Sequence, residues 1–128
     1  MSLRSPLGRV LGLGSAKDGT SHWWSARLTA LALVPLSLWF VIALYGVGVR
    51  DYWSVARFVQ QPLNAILLAL LVPVAAYHSL LGTTEVVEDY VHDQGAKVIV
   101  MVLLKFAHVL VAVAALYAVL KVSLGSSL

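Results

Sequence analysis

The side chains able to do chemistry in this sequence lie inside or at the ends of long apolar runs. His78 stands seven residues before Glu85, where an uncharged run ends, so at helical rise it is about 10 Å into that run. A neutral imidazole is a good iron ligand, and helix bundles build cofactor sites from facing helices. The same ring could instead bond a neighbouring helix. Gly82 follows four positions later on the same helical face, where a missing side chain admits either a flat ring or another helix. Asp89 and Tyr90 come next, Asp89 roughly 16 Å along the axis from His78. A phenol can donate to a quinone carbonyl and a neighbouring acid can relay protons. Acids and tyrosines are also ordinary at a membrane interface. Arg27 is either a basic anchor reaching for headgroups or a cation for an acidic cofactor group such as a haem propionate. Lys105 and His108 share one face of the third run, roughly 12 and 16 Å from Lys97. His78 and His108 differ by roughly 6 Å in depth, which argues against one iron joining them. Glu85, Glu88, His92 and Asp93 read as solvated loop groups.

The elements that must position these groups follow from composition. Of 128 residues, 60% are hydrophobic and 12% charged, against about 25% charged in a soluble domain. That is the composition of an integral membrane protein. The net charge of +3 is small and its basic residues lie mostly outside the apolar runs, so they report topology, not nucleic-acid binding. With no cysteine, the chain has no disulfide and no iron–sulfur cluster on its own thiolates. Leu28 to Val49 and Phe58 to Thr84 are free of charge, and the run between Lys97 and Lys121 is broken only by Lys105. Each is long enough to span a bilayer. All three must be helices, because unpaired backbone cannot face lipid and three segments cannot close a barrel. Pro73, well inside the second span, predicts a kink.

The expected organisation is an N-terminal segment over 1–23 and a membrane domain over 24–128, with spans at about 24–48, 57–84 and 97–121. The first 22 residues have no apolar core of the length a cleaved signal peptide requires, so span one is expected to insert as a signal-anchor. Arg4, Arg9, Lys17, Arg27 and Lys97 outnumber Arg50, Arg57 and Lys121, which places the N-terminus and the second loop in the cytoplasm. Trp23, Trp24, Tyr52 and Trp53 flank span one like an interfacial aromatic belt.

Three blocks, GLGSAKDGTSHWWSARLTA at 12–30, HSLLG at 78–82 and EDYVHD at 88–93, resemble in order and spacing the smaller, hydrophobic membrane-anchor subunits of alphaproteobacterial succinate dehydrogenase, respiratory complex II. The resemblance implies an all-α fold of three transmembrane helices, forming a heteromeric bundle with the cytochrome b subunit in the bacterial inner membrane. It implies that His78 is one axial ligand of a haem b shared with that subunit, with Gly82 packing against the ring and Arg27 near the propionates. Tyr90 would donate a hydrogen bond to ubiquinone, assisted by Asp89. The chain would do no catalysis alone. It would pass electrons from the flavoprotein and iron–sulfur subunits to quinone, with membrane lipid its only other partner. No family role falls on Lys105 or His108. The residues themselves leave two other readings open: a structural or assembly subunit whose histidines pair helices, and a proton-relay subunit without haem using His78, Lys105, His108 and Asp89.

Overall fold

The structure, a computed structural model, describes residues 17–48 and 51–125. Most of the expected N-terminal segment, with Arg4 and Arg9, and also Arg50 lie outside the described residues. Four helices run in order: α1 Lys17–Val47, α2 Tyr52–Gln60, α3 Pro62–Tyr90 and α4 Gln94–Ser123. The fold is all-α, and α1, α3 and α4 are each long and apolar enough to cross a membrane.

Local chemistry sets the boundaries. Gly48, at φ 53°, ends α1 in the left-handed conformation that glycine adopts without steric cost, its N–H bonding the Tyr45 carbonyl. Asp51 caps α2 by accepting from the Ser54 N–H at 2.8 Å. Pro62 then opens α3 at its first turn and keeps Gln61 extended, at φ −69° and ψ 125°. Asp93 caps α4, accepting from the Ala96 N–H at 2.7 Å.

These caps revise the sequence reading in three places. The stretch around Arg57 is not the start of the second span but a separate short helix, because Pro62 has no N–H to continue α2. Glu85 and Glu88 sit on α3, which runs on to Tyr90, and not in a loop. Asp93 is a helix cap and not merely a solvated charge. Through Pro73 the helix is uninterrupted.

Side-chain contacts fix the register. His22 meets Glu85 and Thr29 meets His78. Moving seven residues up α1 moves seven down α3, so the two helices are antiparallel over two full turns. Ser79 meets His108, and the Lys97 ammonium donates to the Glu88 carbonyl, which makes α3 and α4 antiparallel as well. Among the described residues α1 and α4 do not touch each other. The three spans therefore form an open layer with α3 in the middle. Only Ala56, Val59, Leu68 and Leu81 are buried hydrophobics among the described residues, and large apolar side chains such as Leu31, Phe106 and Leu110 face outward. At the end of the layer away from Tyr90, α2 lies across the helices, its Phe58 ring stacked on Trp39 at 6.1 Å. A cleft of about 380 Å³ opens there between α2 and the last turns of α4.

Candidate functional site

His78 lies in the seam between α1 and α3. Its Nδ1 is 2.8 Å from the Thr29 hydroxyl. Among the described residues its Nε2 has no hydrogen-bond partner. One helical turn on, Gly82 leaves bare backbone, and a Cβ built there would meet nothing within 4 Å. A half-buried imidazole with one nitrogen held and the other unengaged, beside open space on the same face, is a donor set that fits a single axial ligand to a planar metal complex. No group of three or more His, Cys, Asp or Glu that could hold a metal ion by itself converges among the described residues.

The second intramembrane histidine is different. The His108 Nδ1–H donates to the Leu104 carbonyl at 2.8 Å, which leaves Nε2 as an acceptor for the Ser79 hydroxyl at 3.2 Å. Both ring nitrogens are thus spent inside the chain, in the seam between α3 and α4. His78 and Ser79 are neighbours in sequence, yet they point into opposite seams of the layer. Lys105 is exposed on α4 between Val102, Phe106 and Val109, and makes no hydrogen bond or ion pair among the described residues.

The remaining site residues gather at one end of the layer. Asp89 and Tyr90 close α3, both exposed, Tyr90 at 78%. The His92 Nδ1–H donates to the Tyr90 carbonyl at 3.1 Å, and Lys97 holds the Glu88 carbonyl at 3.2 Å. These bonds satisfy carbonyls that the helix end leaves without a partner. Across the seam, His22 Nδ1 is 3.5 Å from a Glu85 carboxylate oxygen. Its Nε2 is buried without a hydrogen-bond partner. Arg27 is exposed and stacks over the Trp23 ring at 5.3 Å, a cation–π contact. The structure thus brings Arg27, Asp89 and Tyr90 to the same end as His78, with His78 the most deeply placed. Sequence reasoning missed Thr29, Ser79 and His22 as partners. Each lies within one of the blocks already singled out, but no local spacing reveals a contact across 29 to 63 residues of chain.

Comparison with known proteins identifies the family. Residues 1–114 match the family described as succinate dehydrogenase/fumarate reductase transmembrane subunit. A succinate dehydrogenase hydrophobic membrane anchor subunit from Rickettsia bellii (strain RML369-C) is 31% identical, over 91% of this chain and 93% of its own length. One of the same description from Paracoccus denitrificans is 32% identical, over 90% and 88%. The membrane anchor subunit from Reclinomonas americana is 27% identical, over 76% and 83%. No solved structure matches significantly. A match over most of the chain, on an all-helical layer of three spans, means that the chain belongs to the succinate dehydrogenase membrane-anchor family.

Proposed function

We propose that this chain supplies one axial ligand, His78, to a haem b shared with a cytochrome b subunit, and one wall of a ubiquinone pocket, built by Tyr90 and Asp89. When bound, the haem offers a one-electron redox centre inside the membrane. The chain's own residues bind and orient. His78 presents an unengaged Nε2 from the seam of α1 and α3. Gly82 keeps the neighbouring surface flat. Arg27, at the same end, has no carboxylate partner among the described residues and suits an acidic group such as a propionate.

Quinone reduction takes up two electrons and two protons for each quinol formed. The Tyr90 phenol donates a hydrogen bond to a quinone carbonyl oxygen, and the Asp89 carboxyl passes protons from the aqueous side. Both are exposed at the helix end, where water and the membrane edge meet. The electrons arrive from an iron–sulfur subunit, itself fed by a flavoprotein that oxidises succinate. Those subunits dock on the Tyr90 end, which the Lys and Arg distribution places in the cytoplasm. The chain is then a multi-pass protein of the bacterial inner membrane.

The observation that carries this reading is the contrast between the two intramembrane histidines: His78 keeps a nitrogen free and His108 does not. The same contrast weighs against a proton path through His108, whose ring is already committed to two internal bonds. The test is the visible spectrum and quinone reductase activity of the purified complex. His78→Ala should remove the b-type Soret band, and Tyr90→Phe should cut quinone reduction by about tenfold or more. A full Soret band in His78→Ala together with wild-type quinone reduction in Tyr90→Phe would sink the proposal.

A further inference from the structure

We infer that Thr29 is the residue that positions His78, fixing both the tautomer and the plane of its imidazole; this rests on the reading of His78 as a haem ligand. The Thr29 hydroxyl oxygen lies 2.7 Å from the Ser25 carbonyl and 3.1 Å from the Ala26 carbonyl. Carbonyls only accept, and a hydroxyl has one proton to give. That proton is committed to the α1 backbone, as is usual for a threonine inside a helix. The Thr29 oxygen therefore faces His78 Nδ1, 2.8 Å away, with a lone pair. For a hydrogen bond to exist at that distance, Nδ1 must carry the proton. A neutral ring protonated at Nδ1 has its lone pair on Nε2, the nitrogen that has no partner among the described residues.

The hydrogen bonds thus run in one direction, from His78 Nδ1–H to Thr29 Oγ1–H to the Ser25 carbonyl, and end on backbone that cannot reverse them. Three consequences follow for an imidazole that ligates iron. The correct tautomer exists before the metal arrives. The ring plane is held by a bond to a different helix. The Nδ1–H is polarised, which raises the basicity of Nε2 toward a metal, as outer partners of metal-bound histidines do. Thr29 touches no substrate and no iron, so it is a positioning residue. Its side chain is also only half-buried between α1 and α3, a site where valine has the same shape.

The variants are made in the assembled complex. Thr29→Val keeps the shape and removes the hydroxyl, and Thr29→Ser keeps the hydroxyl and removes the methyl. Two readouts are taken besides activity: the haem-to-flavin ratio after washing in detergent, and the redox midpoint of the haem with its low-temperature electron paramagnetic resonance line. Thr29→Val should lose haem about 10- to 100-fold more readily. Its midpoint should rise, because a less basic ligand stabilises the ferric iron less. Thr29→Ser should match the wild type in both. A change in packing alone would be seen in Thr29→Ser and spared in Thr29→Val, which is the opposite order. If Thr29→Val fails to assemble, Thr29→Ser and Thr29→Ala carry the comparison, since both lack the methyl and differ only in the hydroxyl. Wild-type haem retention, midpoint and resonance line in the variant without the hydroxyl overturn the role of Thr29. Retention of haem in His78→Ala would overturn the underlying ligand assignment instead, and so tells the two failures apart.

Discussion

At the residue scale, the two intramembrane histidines show how little a residue type says without its partners. Both sit in hydrocarbon, where an uncompensated polar group is costly. His108 is compensated by Leu104 and Ser79, so its role is to join α3 to α4. Interhelical polar bonds of this kind contribute about 0.6 kcal/mol in a membrane, rarely above about 1.7 kcal/mol. His108→Ala should therefore lower the thermal stability of the complex slightly and leave the haem-to-flavin ratio unchanged. Thermal inactivation and pyridine haemochrome analysis of the purified variant check both halves. A large loss of haem would mean that His108 acts as more than a helix clamp. The Ser79–His108 contact sets His108 level with the residue after His78, so the depth difference of roughly 6 Å expected from helical rise is not there. The cause is that α3 runs on past Glu85 to Tyr90. Only the placement of both rings within the spans was legible in the sequence. Their partners were not. Thr29 and Ser79 are ordinary hydroxyl residues, and a single sequence has no mark to set them apart from Ser37 or Thr83, which bond only their own helix.

At the element scale, hydrocarbon length made three spans readable, because a membrane demands long uncharged runs and tolerates little else. α2 was hidden by the same rule. Its Arg57 reads as the end of a loop and its Phe58-Val59 as the start of the next span. What separates the elements is Pro62, whose effect on Gln61 is local stereochemistry and not hydropathy. The cap at Asp51 gives α2 a pH dependence. Ser54, through its side chain first and its backbone N–H second, holds the Asp51 carboxyl below its usual range, and Arg57 adds a smaller attraction. A carboxyl lowered by folding stabilises the helix above the ordinary aspartate range. That contribution is lost as pH falls through the lowered value. Hydrogen exchange at the Ser54 and Val55 amides should thus quicken on acidification in that window, after correction for intrinsic exchange. Asp51→Asn should abolish the dependence and keep the protection, because asparagine caps equally well without a charge to titrate. Equal acid sensitivity in Asp51→Asn would place the titrating group elsewhere.

At the scale of the whole molecule, the open layer explains why the proposed site would be half a site. With α1 and α4 packed on opposite sides of α3 and no close approach between their backbones, the described residues leave the layer open, with large apolar side chains facing outward. Apolar surface on both faces must meet lipid or another chain, and in lipid the exposed Lys105 would be costly. The layer has a direction, however, and the direction can be tested. His22, Arg27 and Tyr90 share one end, and Trp53 and Lys121 share the other. In the proposed topology, drawn from the basic residues, the first of these ends would face the cytoplasm, as the proposed docking of the succinate-oxidising subunits requires. Because the chain has no cysteine, a single introduced thiol reports one position without background. His92 and Trp53 are exposed, one in the turn beyond Tyr90 and the other on α2. In intact spheroplasts a membrane-impermeant maleimide should label Trp53→Cys and leave His92→Cys unmodified, and opening the membrane should make both react. Succinate–quinone activity of each variant shows that assembly survives the change. The reverse labelling pattern would put Tyr90 on the outer face, where no succinate-oxidising subunits could reach it, and the proposed quinone pocket would fall with the topology.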